Sequence, residues 1–400
     1  MNLKKKPKRN QNHFYHSVTK NVLFCITGSI AAIKAPFIIR ALKDQGFLVT
    51  CIVTEAAKKF ITPFSLTLLS DNTCYEDLDF WSENNLHINL ARTHDILLIA
   101  PATANTIAKC ATGIANNLML NCFVAFEGKK VIVPAMHAEM INSKIVQNNI
   151  EKCKNMGCLI LGPTYGNLLS EDKGEGRMIE PEEIARCITS LQFNKLNLRD
   201  KPILITAGGT TEDIDPVRTL SNRSSGKLGE SLARLAYIND AKVIVISSHL
   251  IENIGYQKVV KISNSNELKQ SMDDSMGSIE TLIMAAAVSD YLPIYQNQKI
   301  RREKQTEILV EKNEDVLSYI TKTYEPKITV GFCLQDDIND SKTPFEKLHQ
   351  KKCNYIIAND SSNIANDKRS YKIYNANSCI DSFKDVSVHE AAYNILKNIS

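Results

Sequence analysis

The feature that most constrains this chain is an alternation of short runs rich in Val, Ile and Leu with longer amphipathic stretches, in two successive series. Such alternation is typical of parallel α/β layers, because a buried parallel strand is apolar on both faces and the helix that follows covers one of them. With 400 residues the chain is long enough for two such domains. We therefore predict an α/β protein with two tandem doubly wound, Rossmann-like domains.

The two series predict the strands and helices as follows. In the first, strands are expected at 22–27, 48–54, 95–100, 130–134 and 158–161, and helices at about 31–45, near Ser65, at 82–93 and at about 103–110. In the second, strands are expected at 203–206, 242–247, 259–262, 281–286, 328–332 and 355–358. A polar stretch without a clear period follows the helical pattern EEIARCITSLQF and separates the series. The predicted organisation is a basic arm at 1–20, a first domain at 21–190, a linker at 191–200 and a second domain at 201–400.

Charge and cysteine content narrow the class of protein. Residues 1–20 contain six basic and no acidic residues, so that +4 for the chain less +6 for this arm leaves −2 for the remainder. A basic arm could contact nucleic acid or anionic lipid, but an exposed, disordered tail is the favoured reading, and we expect neither partner. The eleven cysteines include no CxxC pair, which favours reduced thiols in the cytoplasm over disulfides or a zinc site.

No segment has the length of a transmembrane helix. The apolar run at 22–33 ends at Lys34 after twelve residues and contains the turn Thr27-Gly28-Ser29, so we interpret it as a strand followed by a helix rather than as a signal peptide.

Turns that could bind a ligand follow four consecutive predicted strands of the first series. In open parallel sheets, ligands bind beyond the carboxyl ends of the strands. The four turns are Thr27-Gly28-Ser29-Ile30, Thr54-Glu55-Ala56, Pro101 to Thr106, and Pro134-Ala135-Met136-His137. Gly28, beside hydroxyls and before a helix, could hold a phosphate on backbone N–H groups, although one Gly-Ser turn alone is most often only a turn.

The ordered set TGSIAAIK, TEAAKKFITP, APATANTIAK, GIANNL, PAM and GEGRM resembles the homo-oligomeric flavin-containing Cys decarboxylases, in particular the phosphopantothenoylcysteine decarboxylases of bacterial coenzyme A synthesis. The resemblance covers about residues 21–190 and implies a bound FMN. It also implies that the thiol of phosphopantothenoylcysteine is oxidised before CO₂ is lost, and that the enethiol product is then reduced to 4′-phosphopantetheine. The residues that it places at FMN are Gly28, Ser29, Ile30, Thr54, Phe60, Thr103, Asn105 and Met136. His87 matches the catalytic histidine of the family, whereas His94 matches no motif and is expected to be structural.

Three positions depart from this family pattern. His137 stands where the family has a substrate-binding Asn, Ser170 where it has a proton-donating Cys, and Asn117 where it commonly has Asp. Because a hydroxyl is a much poorer proton donor than a thiol, Ser170 should slow the reductive step.

The second series carries a longer motif after its first strand, AGGTTEDIDPVRTLSNRSSGKLG at 207–229. A glycine turn with Asn, Arg, Ser and Lys at the start of a helix suits a phosphorylated carboxylic acid, but the motif is neither a Walker A loop nor a clean GxGxxG. Together with MAAAVSDY, KNEDVL, VGF and AND, it resembles the phosphopantothenate-cysteine ligases over about residues 201–390.

The ligase resemblance implies that CTP activates the carboxylate of 4′-phosphopantothenate as an acyl-cytidylate, which the amine of cysteine then attacks. Asn222 would stabilise the acyl-cytidylate and Arg218 would approach anionic groups of the substrate. The positions that match CTP contacts are Ala285, Ala286, Asp290, Lys299, Asn313, Asp315, Val316, Phe332, Lys347 and Lys351. Mg²⁺ would bridge the phosphates, with protein ligands unassigned. Without the family, Lys347 and Lys351 would be read as a solvated helix face.

Three functions are compatible with these patterns. The leading hypothesis is a bifunctional enzyme, ligase and FMN-dependent decarboxylase, in a homo-oligomer with a trimeric flavoprotein core and dimeric ligase domains. The alternative keeps the ligase and makes the first half a flavin-binding scaffold, as Ser170 and His137 suggest. A phosphatase-inhibiting subunit is least favoured, because relatives of that kind have long acidic tails.

Overall fold

The computed structural model describes residues 20–81, 85–167, 173–193, 195–301, 307–361 and 368–400. Residues 1–19 of the basic arm and Ser170 lie outside the described residues. The described part divides into two compact units, the first up to Ala135 with Asn142–Leu159 and the second made of Met136–Ile141 and Ile160–Ser400.

The first sheet has six strands in the order β3-β2-β1-β4-β5-β6. Its strands are β1 Asn21–Ile26, β2 Leu48–Val53, β3 Cys74–Tyr75, β4 Ile96–Ala102, β5 Lys129–Pro134 and β6 Leu159–Ile160. The helices of this part of the chain are α1 Ala35–Asp44, α2 Pro63–Ser70, α3 Leu86–Thr93, α4 Ala104–Thr112, α5 Leu118–Ala125, α6 Ala138–Asn142 and α7 Lys144–Asn155. Strand β1 pairs in parallel with β2 and β4, and the order reverses there, which confirms the doubly wound prediction.

The second sheet has eight strands in the order β13-β12-β9-β14-β17-β18-β19-β20. These are β9 Pro202–Ala207, β12 Lys242–Ser247, β13 Lys258–Lys261, β14 Thr281–Met284, β17 Ile328–Gln335, β18 Tyr355–Asp360, β19 Lys368–Tyr374 and β20 Cys379–Ser387. Three short hairpins stand apart from it, namely β7 Thr164–Asn167 with β8 Lys173–Arg177, β10 Thr211–Asp213 with β11 Thr219–Ser221, and β15 Tyr291–Pro293 with β16 Val310–Lys312. The helices are α8 Pro181–Ser190, α9 Lys227–Ile238, α10 Ser265–Asp273, α11 Val316–Tyr324, α12 Lys342–Gln350 and α13 Val388–Ile399.

Strands β19 and β20 were not predicted. They pair antiparallel with β18 and with each other, so the second sheet is parallel only as far as β18. Tyr371 and Tyr374 on β19 are buried, but charged and polar residues between and around them interrupt the apolar run. The predicted strand 281–286 is also shorter than expected, because the chain leaves the sheet after Met284.

Helix α8 packs against α9 inside the second unit and contributes a buried carboxylate to it. Arg234 Nε donates to Glu183 Oε1 at 2.6 Å and Arg234 Nη2 to Glu183 Oε2 at 3.1 Å, and Arg186 Nε donates to Oε2 at 2.8 Å. Burial alone would raise the pKa of Glu183, but the two guanidinium groups lower it below its usual value. This helix is therefore held to the second unit by a charge-assisted bidentate pair.

Candidate functional site

The loops at the carboxyl ends of β1, β2 and β4 are fixed by hydroxyl groups. Thr27 Oγ1 donates to Pro101 O at 2.7 Å and accepts the N–H of Thr103 at 3.4 Å, and Thr54 Oγ1 donates to Ile26 O at 3.2 Å. A Cβ on Gly28 would lie 2.4 Å from the Cβ of Ala56, so only glycine fits at this turn. The structure thus brings three of the four predicted turns together at one edge of the first sheet.

Two helical segments begin at this edge, each after a residue whose hydroxyl caps it. Ser29 Oγ accepts the N–H of Ala31 at 3.3 Å, and Thr103 Oγ1 accepts the N–H of Thr106 at 3.2 Å as the N-cap of α4. The first N–H groups of a helix have no acceptor within it, so those of 104 and 105 suit a phosphate. Ile30, in the turn after β1, and Phe60, in the segment after β2, expose apolar surface, which suits an aromatic ring system. Backbone donors, hydroxyls and apolar surface are the groups that an FMN would need.

His87 lies in the first turn of α3 and is half-buried, with its ring centroid 5.3 Å from that of Phe80. His94 follows the same helix, where its Nδ1 lies 2.8 Å from Leu90 O and burial lowers its pKa. Asn117 is the N-cap of α5 and accepts the N–H of Leu120 at 2.9 Å. Because Asn and Asp cap helices equally well, this departure from the family pattern preserves the local structure.

In the second unit, the segment from Met136 lies against β8. The N–H of Met136 donates to Gly176 O at 3.0 Å, and a Cβ on Gly176 would come within 2.1 Å of the Met136 carbonyl oxygen. Within the same segment, His137 Nδ1 contacts Glu139 Oε2, and this contact helps to lower the pKa of Glu139. His137 is therefore an imidazole paired with a carboxylate, at the position where the sequence predicts a substrate contact.

The motif that follows β9 forms the β10–β11 hairpin and the start of α9. Asn222 Nδ2 donates to Val288 O at 2.9 Å, which anchors the Asn222 side chain to the loop after β14. Two further hydrogen bonds hold the same loop. The N–H of Ala286 donates to Thr206 Oγ1 at 3.1 Å, and the N–H of Ser289 donates to Thr210 Oγ1 at 3.0 Å. The structure therefore places Asn222 beside the loop that contains Ala285 and Ala286, as a shared site requires.

Four further predicted CTP contacts form two bonded pairs, Asp290 with Asn313 and Asp315 with Lys351, which follow each other along the segment 313–315. Asn313 donates its N–H to Asp290 O at 2.9 Å, and its Nδ2 donates to Ser289 O at 2.7 Å. Asp315 is the N-cap of α11, and its Oδ2 pairs with Lys351 Nζ at 3.0 Å. Burial alone would raise the pKa of Asp315, but the Ser318 N–H and Lys351 lower it below its usual value. Lys351 is thus an ion-paired group at the end of α12 rather than part of a solvated helix face.

The remaining predicted contacts lie on four parts of the second unit. Lys299 is exposed in the segment between β15 and β16, Phe332 is half-buried on β17, Lys347 is half-buried on α12, and Val316 is buried at the start of α11. Sequence reasoning missed Asp215, a buried carboxylate within the motif that bonds to Arg218 and to the segment around Ile300. Its signal was the motif DPVR itself, since Asp commonly accepts backbone N–H groups two and three residues on.

Within the described residues, no group of three or more His, Cys, Asp or Glu side chains could hold a metal ion. The eleven cysteines are free thiols, and all except Cys379 are buried. No described helix is both long enough and apolar enough to cross a membrane.

Two family models cover most of the chain. The model described as "Flavoprotein" matches residues 10–192, and the model described as "DNA/pantothenate metabolism flavoprotein C-terminal domain" matches residues 198–400.

Individual relatives match over most of the chain. The "Coenzyme A biosynthesis bifunctional protein CoaBC" of Vibrio vulnificus (strain YJ016) is 34% identical over 353 residues, which are 86% of this chain and 87% of that protein. The protein of the same name from Borreliella burgdorferi is 32% identical over 385 residues, 94% of this chain and 98% of its own length. The crystal structure of the C-terminal domain of a CoaBC protein is 28% identical, covers 51% of this chain and 96% of that domain, and has a TM-score of 0.44.

Proposed function

The chain belongs to the bifunctional CoaBC enzymes of coenzyme A biosynthesis, which have a decarboxylase half and a ligase half, and from this premise we propose the chemistry of its two sites. In the ligase half, the carboxylate of 4′-phosphopantothenate attacks the α-phosphorus of CTP and pyrophosphate leaves. The amine of cysteine then attacks the acyl carbon and CMP leaves. The observation that carries this proposal is the anchoring of Asn222 beside the loop at 285–289, together with the two bonded pairs of Asp290 with Asn313 and Asp315 with Lys351.

We propose a separate role for each polar residue of the ligase site. Asn222 holds the acyl-cytidylate through its amide, and Arg218 binds the anionic part of the substrate. Lys299, Lys347 and Lys351 neutralise the triphosphate as charge develops on the leaving pyrophosphate. We assign Mg²⁺ to the phosphates of CTP, since Mg²⁺ in such sites is held by substrate phosphates and few protein groups.

In the decarboxylase half, we propose that FMN is held by the first sheet edge, with its phosphate at Ser29 and at the start of α4. Bound FMN supplies two-electron redox chemistry. In the first unit, His87 is the group that we propose to orient the substrate. His137, which is paired with Glu139 in the second unit, stands at the position of the substrate-binding Asn of the family. The ligase-only alternative is not favoured, because the relatives that match both halves of the chain are bifunctional by name.

A single assay tests both halves. Purified protein is supplied with 4′-phosphopantothenate, cysteine, CTP and Mg²⁺, and CMP and CO₂ are measured together with the flavin absorbance. We expect CMP and CO₂ in equal amounts from a yellow protein. CMP without CO₂ would contradict the decarboxylase assignment. In that case Ser170→Cys combined with His137→Asn should restore CO₂ release if those two positions are responsible.

We also propose a domain boundary, an oligomeric state and a location for this protein. In sequence we propose a boundary at 191–200, which the matched ranges 10–192 and 198–400 support, whereas helix α8, just before it, packs with the second unit. A homo-oligomer with a trimeric flavoprotein core and dimeric ligase domains is supported by large exposed apolar side chains in the first unit, among them Phe37, Phe64, Leu68, Leu78 and Trp81. A cytoplasmic location is supported by the free thiols. Analytical ultracentrifugation tests the assembly.

A further inference from the structure

Asp215 is a buried carboxylate in the turn that connects β10 and β11. Its Oδ1 accepts the N–H of Val217 at 2.7 Å and the N–H of Arg218 at 2.8 Å, which closes the turn of this hairpin. The turn is completed by the N–H of Ile214, which donates to Arg218 O at 2.8 Å. One oxygen of the carboxylate is therefore sufficient for the local fold.

The second oxygen of Asp215 reaches a different part of the chain. Oδ2 accepts the N–H of Ile300 at 3.0 Å and Arg218 Nη1 at 2.5 Å, and the same Nη1 donates to Ile300 O at 3.1 Å. The N–H and the carbonyl of Ile300 are thus bound by the two members of one ion pair. The N–H of Gln296 adds a bond to Ile214 O at 2.9 Å.

These contacts join two hairpins that carry proposed ligase residues. The first hairpin holds Arg218 and leads to Asn222, and the second, β15–β16, holds Lys299 and leads to Asn313. We propose that Asp215 is a positioning residue of the ligase reaction, which keeps Arg218 and the backbone of Lys299 at a fixed separation. This inference rests on the proposed roles of Arg218 and Lys299.

The charge of Asp215 is maintained over the whole physiological range. The Ile300 N–H contributes most to lowering the pKa of Asp215 to about 2, and the N–H groups of Val217 and Arg218 and the Arg218 side chain act in the same direction against burial. A carboxylate with a lowered pKa loses its stabilising effect only as pH falls from about 3.9 toward 2. The positioning should therefore not vary between pH 5 and pH 9.

The variant Asp215→Asn should preserve the turn between β10 and β11 but disrupt the contact between the two hairpins. An amide oxygen in place of Oδ1 still accepts the N–H groups of Val217 and Arg218, but the amide NH₂ then faces two donors, the N–H of Ile300 and the guanidinium of Arg218. Asp213→Asn is the matched control, because Asp213 lies on the same hairpin, is exposed and loses the same charge. The variants are compared by amide hydrogen exchange of peptides within 294–301, by CMP release with CTP varied, and by thermal unfolding.

For Asp215→Asn we expect at least about tenfold faster exchange at Ile300 and kcat lowered by about 10- to 100-fold, with KM for CTP within about threefold. The Tm should fall by a few degrees with unfolding still cooperative, because the stabilising charge is lost and a buried NH₂ meets two donors. Asp213→Asn should match the wild type in all three measurements. Unchanged exchange and unchanged kcat in a folded Asp215→Asn protein would overturn the proposal, as would a loss of kcat shared equally by the control. If Asp215→Asn does not fold, exchange in the wild type decides, because an Ile300 amide that exchanges as fast as its neighbours at 298 and 299 contradicts the contact. If the wild type releases no CMP, the ligase assignment fails, whereas the exchange result still reports on the contact itself.

Discussion

The edges of the two sheets satisfy their polar side chains in different ways. At the first edge, the hydroxyls of Thr27, Thr54 and Thr103 bond to backbone groups of neighbouring loops. At the second, the hydroxyls of Thr206 and Thr210 hold the loop after β14 in the same way, but this edge adds a buried carboxylate, that of Asp215 paired with Arg218. The carboxylate of Glu55, which pairs with Lys58 at the first edge, is largely exposed. The edges therefore differ in how deeply their charge is buried. The second unit also has charge in its interior, at Glu183 and Arg234.

The largest expected effect tests whether the second edge alone performs the ligation. Asn222→Ala should lower kcat for CMP release by about 100- to 1000-fold, because it removes the amide proposed to hold the acyl-cytidylate. CO₂ release from added 4′-phosphopantothenoylcysteine should stay at the wild-type rate. Asn377→Ala, at an exposed turn between β19 and β20, is the control. A parallel loss of both activities would show that the two regions are not functionally separate.

The next effect concerns a buried titratable group of the second unit. His389 lies 3.2 Å from Ser231 Oγ, and burial lowers its pKa to about 4, with Arg234 and Arg186 acting in the same direction and Glu183 against them. A histidine neutral in the folded state stabilises the protein above its unfolded pKa near ~6.5, and this contribution is lost as pH falls toward 4. Between pH 7 and pH 5 the free energy of unfolding should fall by about 2 kcal/mol more in the wild type than in His389→Gln.

Urea unfolding at the two pH values measures this difference. His349→Gln, at an exposed position on α12, should behave like the wild type. Equal pH dependence in His389→Gln and the wild type would show that the interior charges of the second unit do not control the titration of His389.

A smaller effect is expected at the first edge. Thr103→Val removes the N-cap hydroxyl of α4 and should weaken FMN binding by about fivefold, since a lost cap costs about 1 kcal/mol. The ratio of flavin to protein absorbance after dialysis reports it. Thr62→Val removes the corresponding cap of α2, where Thr62 Oγ1 accepts the N–H of Ser65 at 3.2 Å, and should leave the flavin content unchanged. Equal flavin loss in both variants would point to general destabilisation instead.

The smallest effect is expected from ionic strength, which should change the ligase activity of the second edge but not the flavin content of the first. Raising the salt concentration from 0.05 to 0.3 M should lower kcat/KM for CTP by about threefold, because exposed lysines such as Lys299 are screened. The flavin content should not change over this range. A salt-insensitive ligase would mean that steering by exposed charge does not contribute at the second edge.

Much of this architecture was predictable from local pattern. Strands such as β1 and β12 are uninterrupted apolar runs, and the ends of the runs correctly placed the turns at Gly28, Thr103 and Gly208. The antiparallel strands β19 and β20 were not predicted, because an edge with one solvated face has no such run. Asp215 was not recognised either, since the sequence does not show that its second oxygen meets a peptide 85 residues away.

The attachment of α8 determines where the gene can be divided. A ligase fragment that begins at residue 195 keeps Arg234 but discards Glu183, and so leaves a guanidinium with 5% of its side chain exposed without its carboxylate. Removing one member of a buried ion pair typically costs about 3–5 kcal/mol, a large share of the stability of an ordinary domain. An independently expressed ligase half should therefore begin before Pro181, so that the last helix of the preceding sequence is retained as its first.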